Sequence, residues 1–165
     1  MSALHLARRF VGALDPRGPD AAGEAWATGH LVPGEAALWE RMSGPDRRHA
    51  LGVARAVVTG LGDTVGRPVV AAALLHDVGK VEARLGTFAR VPATLVGLVA
   101  GPERARRWRG RVGTYLRHDA VGAGLLVAAG SDPLTVAWAR EHHLPVASWT
   151  LDPVLASALR AADGD

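Results

Sequence analysis

The chain has no cysteine among its 165 residues. That excludes a disulfide framework and any thiolate metal site, and it fits a reducing compartment. Aromatic residues make up only 5% of it, so a core must come from Ala, Leu and Val, in small-residue helices that pack closely. No apolar run approaches the roughly 20 residues that span a bilayer. Residues 1–14 carry Arg8 and Arg9 mid-segment and no apolar run before a cleavage site, unlike a signal peptide. A cytoplasmic protein without a transmembrane segment is expected. Excess charge is also small, at +3, so stable nucleic-acid binding is not expected. Lysine is nearly missing. Every basic side chain apart from histidine is an arginine except Lys80, which stands in Leu74-Leu75-His76-Asp77-Val78-Gly79-Lys80. A compact ammonium directly after a His-Asp pair points to a metal site with a mobile cation beside it, a task for which a planar guanidinium is a different tool.

What is present is helical patterning. Apolar residues form 48% of the chain, enough for one domain with a core. No period-two strand pattern, internal repeat or low-complexity segment occurs, and the fold class is all-α. Helices are expected over 2–14, 21–28, 33–42, 47–61, 67–78, 113–129, 132–142 and 152–162. Asp46 is the expected cap of the third internal helix, and Asp132 and Asp152 cap the two before Pro133 and Pro153. The span 67–78 is the most apolar and should be buried on most sides. Gly79 is placed to end it in a left-handed turn. Residues 91–100 are apolar, and 103–111 form a basic stretch around Trp108, either exposed or a lid, partner surface or shallow membrane contact. Residues 1–44 carry no motif and are expected to form a helical extension packed on the core, with 45–165 as the motif-bearing domain.

Of seven histidines, His5 and His30 have no partners in the pattern and read as ordinary residues. His49, His76, His118, His142 and His143 fall on separate predicted helices, except that the last two share one, and Asp77 follows His76. Imidazole and carboxylate suit first-row divalent ions, and separated helices can bring such side chains into a bundle core. Neighbouring helical residues point about 100° apart, so His76 and Asp77 share a site only where the helix ends. The same holds for His142 and His143.

Three segments carry a resemblance: Asp46-Arg47-Arg48-His49, the His76-to-Lys80 run with its apolar lead-in, and Leu159-Arg160-Ala161-Ala162-Asp163. In this order they resemble the H…HD…D signature of the HD-domain superfamily of metal-dependent phosphohydrolases. His118-Asp119-Ala120-Val121-Gly122 and Glu141-His142-His143 look like the added histidine segments of its HD-GYP branch. The likeness covers about residues 45 to 163. No Gly-Tyr-Pro follows His143, so it does not extend to cyclic di-GMP as substrate. Asp119 stands where proline is common, and Pro45 stands where three-metal members place a glutamate.

The resemblance implies a compact helical bundle with metal in its core. His49, His76, Asp77 and Asp163 would hold one ion, with Asp152 the rival for the last role. His118, with His142 or His143, would hold a second, and Asp77 would bridge them. The ions would be divalent, two in number, with Mn, Fe, Ni, Zn, Co and Mg undistinguished, and a hydroxide bridging them would be the nucleophile. The implied substrate is a small phosphomonoester or phosphodiester, nucleotide-like. Lys80 would offset charge on a phosphate oxygen. Arg47 and Arg48 would bind phosphate bidentately or else form a solvated helix face. A di-iron oxygenase on the same scaffold, or a non-catalytic sensor module, are the alternatives. Nothing in the sequence argues against a homo-oligomer.

Overall fold

The computed structural model describes residues 15–62, 65–86, 89, 93 and 107–164. Among these, every regular element is helical and no strand occurs, as the patterning predicts. The expected helix 2–14, the segment 91–100 apart from Ala93, and residues 103–106 of the basic stretch lie outside the described residues. The helices are α1 (Ala21–Gly29), α2 (Pro33–Arg41), α3 (Gly44–Leu61), α4 (Arg67–Leu75), α5 (Lys80–Ala83), α6 (Gly110–Leu116), α7 (His118–Ala128), α8 (Pro133–Glu141) and α9 (Pro153–Asp163), with a 3-10 turn at Val146–Ser148. No described helix is long and apolar enough to cross a membrane.

α4 is the centre of the packing. Its segment Arg-Pro-Val-Val-Ala-Ala-Ala-Leu-Leu is apolar on every side after the first turn, and Val70 to Leu75 are all buried. Such a helix is stable only with neighbours all round. α3 and α8 flank it; α9 packs on α3, and α7 packs on α8. Trp39 from α2, Val57 from α3, Leu126 from α7, Trp138 from α8 and Leu159 from α9 meet in one core with α4. Each such side chain contributes about 1.5–3 kcal/mol on burial. Ala27 of α1 and Leu38 and Met42, at and just after α2, join that core, so chain on both sides of residue 44 builds it.

The helix ends follow capping chemistry, with corrections to the expected boundaries. Asp132 accepts from Leu134 N at 2.9 Å, and Asp152 from Val154 N and Leu155 N at 3.0 Å, as expected. α3 instead begins at Gly44 under Ser43, whose hydroxyl accepts from Asp46 N and donates to Asp46 Oδ2. Pro45 tolerates a first-turn position because its missing N–H costs nothing there, so Asp46 is a first-turn acid and not the cap. The predicted helix 67–78 ends at Leu75, with residues 76–79 forming a turn. Gly79 has φ −62° and ψ −17°, so it is not left-handed. The predicted helix 113–129 is broken at Arg117, where φ is −113° and ψ 22°. The break separates α6 from α7 and re-aims His118.

Candidate metal centre

Five segments converge at one end of α4. His49 comes from the first half of α3, His76 and Asp77 from the turn after α4, and His118 from the first residue of α7. His142 and His143 form the turn after α8, and Asp163 is the last residue of α9. Each pair of adjacent residues sits just past a helix end, which lets both members face inward. Asp163 is buried because Gly164, at φ 82°, closes α9 in a left-handed cap that bonds back to Arg160 and Ala161. His76, Asp77 and His142 are likewise buried, while His143 is the most open member.

Asp77 joins two groups of ligand atoms. His49, His76 and Asp77 form one; Asp77, His118, His142 and His143 form the other. In each, the atoms lie within 4.8 Å of one another. The two carboxylate oxygens of Asp77 face opposite groups. Oδ1 lies 3.2 Å from His118 Nε2 and 3.9 Å from His142 Nε2. Oδ2 lies 3.4 Å from His76 Nε2 and accepts from Lys80 Nζ. Asp163 Oδ1 adds a second carboxylate to the first group, 2.8 Å from His49 Nε2 and 3.6 Å from His76 Nε2.

The histidine tautomers are set by the backbone. His76 Nδ1 donates to Ala73 O at 2.9 Å, His118 Nδ1 to Tyr115 O at 2.8 Å, and His142 Nδ1 to Ala139 O at 3.0 Å. A carbonyl only accepts, so Nδ1 carries a proton in each ring and Nε2 is the nitrogen turned inward. This is the outer-shell arrangement that orients imidazoles toward a metal. Two of these atoms, His76 Nε2 and His142 Nε2, are buried without a hydrogen-bond partner. An orphaned buried polar atom costs about 1–3 kcal/mol and demands an explanation. His118 Nε2 and His143 Nε2 face each other at 3.2 Å. Converging imidazole nitrogens beside two carboxylates, once any proton on them is displaced, are the donor set of a divalent cation. These buried His/Asp clusters can therefore hold metal.

The electrostatics differ between the groups. Burial opposes charge on His76, but Asp77 and Asp163 outweigh it and lift its pKa to about 9. Burial would raise Asp77, yet Lys80, His76 and His118 hold it well below the usual carboxylate range. His142 is pushed well down by burial and by His143 and His76. Enclosure of its ring by the neighbouring histidines and the proximity of His118 push His143 down, even though its outer edge is open to solvent. In the second group His142 and His143 are thus held toward the neutral form, whereas in the first the carboxylates hold a proton on His76.

Other predicted site residues are engaged elsewhere. Arg47 binds Glu24 Oε1 at 2.9 Å and the Met42 carbonyl at 2.9 Å. Arg48 donates to the carbonyls of Arg17 and Asp15. Both tie the 15–24 region to α3, in place of the expected phosphate contacts. The reason is rotational: on a helix Arg47 lies roughly 200° and Arg48 roughly 100° from the direction of His49. Asp152 is held in its cap, which leaves the converging role to Asp163. His30 packs on Trp26, with ring centroids 4.4 Å apart, at the end of α1; His5 lies outside the described residues.

Sequence reasoning missed how Glu141 works. It is buried and turned to Thr150, accepting from its N at 2.7 Å and from its hydroxyl at 2.6 Å, while Trp149 Nε1 donates to the Glu141 carbonyl. This clasp fixes the chain at the root of His142 and His143. The acid beside the His-His pair was the only signal in the sequence. In comparisons with protein-family models, curated proteins and solved structures, the chain gave no match.

Proposed function

We propose that the chain is a metal-dependent phosphohydrolase of the HD-domain kind, acting on a small phosphomonoester or phosphodiester of nucleotide type. The observation that carries this reading is Asp77, one carboxylate whose two oxygens face two separate groups of inward imidazole nitrogens. That is the arrangement needed to share one anion between two cations. His49, His76 and Asp163 would hold one ion with Asp77, and His118, His142 and His143 the other. The ions, when bound, supply an acidified water and positive charge at a phosphoryl group.

The chain's own residues do the rest. The Nδ1-to-carbonyl bonds lock the imidazoles, so the donor set is organised before any ligand arrives. Lys80, with a side chain only 13% exposed, holds an ammonium at Asp77 Oδ2. From there it donates to a non-bridging phosphoryl oxygen and offsets the charge that develops on it. His143, the most open member, marks the side on which substrate enters. The same ligands would serve a di-iron oxygenase. Lys80 favours the hydrolase, because a fixed cation beside the metals suits an anionic substrate.

The test is the Asp77→Ala variant of protein loaded with Mn²⁺, Co²⁺ or Zn²⁺, assayed on aryl phosphates and nucleotides. The expected outcome is loss of bound metal and of phosphate release with unchanged helical circular dichroism. Full activity in that variant would sink the proposal. Oxygen uptake by iron-loaded protein, without phosphate release from any ester, would replace it with the oxygenase.

A further inference from the structure

The two halves of the centre meet at a pair of glycines. Gly79 lies two residues after Asp77, and Gly122 lies one helical turn after His118. A Cβ built on Gly79 would stand 1.9 Å from the His118 carbonyl oxygen and 2.6 Å from Gly122 N. Both obstacles are backbone, so no rotamer change relieves them. A Cβ on Gly122 would stand 3.0 Å from Gly79 N and 3.4 Å from Val78 Cγ1. The dihedrals of Gly79, φ −62° and ψ −17°, are open to any L residue. Conformation therefore does not call for glycine at 79; the approach of α7 does. His118 is referenced twice to the 76–79 turn, through its carbonyl on Gly79 and through Nε2, 3.2 Å from Asp77 Oδ1.

We propose that the Gly79–Gly122 crossing sets the separation of the two metal-binding halves, making Gly79 a positioning residue for the second ion; this rests on the two-ion reading above. Real Cβ contacts essentially never fall under 3.0 Å, so a methyl at 79 displaces the His118 backbone by about 1 Å. Metal–ligand distances tolerate about 0.2 Å. The shift withdraws His118 from Asp77. It leaves the first group in place, because His49 and Asp163 come from α3 and α9, outside the crossing, and because His76 is tied through Nδ1 to Ala73 O of the buried α4, so that α7 and not the 76–79 turn gives way.

The experiment counts Co²⁺ per full-length chain by equilibrium dialysis and visible absorption, a readout independent of turnover. Wild type is expected to bind two ions and Gly79→Ala one, at the wild-type affinity of the first. Gly34→Ala is the control. Its Cβ would meet Ala129 O at 2.3 Å, a comparable insult just past the far end of α7, and it should keep both ions. Gly122→Ala, the milder change, is expected to weaken the second ion about tenfold and leave the first alone. Two ions at unchanged affinity in Gly79→Ala, or loss of both from folded protein, would overturn the proposal. If Gly79→Ala does not fold, Gly122→Ala decides, and equal weakening of both ions or of neither overturns it. Wild type binding no Co²⁺ would be a failure of the metal reading itself, and a single ion in wild type would overturn both.

Discussion

Lys80 shows how much one side chain can be asked to do. Its ammonium is the counter-charge of a buried carboxylate and, on the proposed hydrolase reading, the cation that would meet a phosphoryl group. Lys80→Ala should spare metal content, because every imidazole and carboxylate of the two groups remains, while lowering kcat by roughly 10²–10³, the usual effect of removing one charge-stabilising donor. Lys80→Arg should not fully rescue it, since a planar fork does not reproduce a compact ammonium in a nearly enclosed position. Parallel metal analysis and steady-state kinetics check this, and equal loss of metal and turnover would show that Lys80 serves the ions instead. At this scale the sequence was informative wherever chemistry is unusual. A lone lysine after His-Asp, and histidines on several predicted helices, stand out without a structure. Arg47 and Arg48 did not reveal their task. Their directions depend on which face of α3 turns inward, and their partners are carbonyls and Glu24, invisible to any motif.

The helices carry the site at their ends, so the ends matter more than the middles. Asp152 is the clearest case. Its carboxylate caps α9 through two amides, and α9 delivers Asp163. Asp152→Ala should cost about 1 kcal/mol of stability, measured by urea denaturation, with ion stoichiometry retained. Loss of an ion with unchanged stability would instead make Asp152 a ligand. Two caps, at Asp132 and Asp152, were legible because Asp-Pro is a strong local start signal. The ends of α4 and α6 were not. Periodicity runs straight through Val78 and Arg117, and the chain turns where α7 and the 76–79 segment approach one another. Gly79 was recognised as special for the wrong reason: glycine at a helix end suggests a left-handed residue, whereas here it makes room for another backbone.

Across the whole molecule, metal binding at these clusters would be linked to the fold. Five segments meet at the centre, so an ion that binds only the folded chain stabilises all of it. At a free ion concentration 100-fold above Kd the gain is about 2.7 kcal/mol. Removal by a chelator should therefore lower Tm by roughly 5–11 °C, at about 2–4 °C per kcal/mol for a domain of this size; an unchanged Tm would show that the clusters hold no tight ion. The all-α class and the central place of α4 were readable from composition and pattern, whereas the sharing of one core by chain on both sides of residue 44 was not, since Trp39 and Met42 carry no local mark of their long-range neighbours. The position of Asp163 has a consequence for synthesis order. All seven histidines have left the ribosome once residue 143 has emerged, but the carboxylate that closes the first group is twenty residues behind them. A chain extended only to residue 143 would carry every imidazole but, of the two converging carboxylates, Asp77 alone, so on the two-ion reading the first group is complete only once α9 has docked on α3.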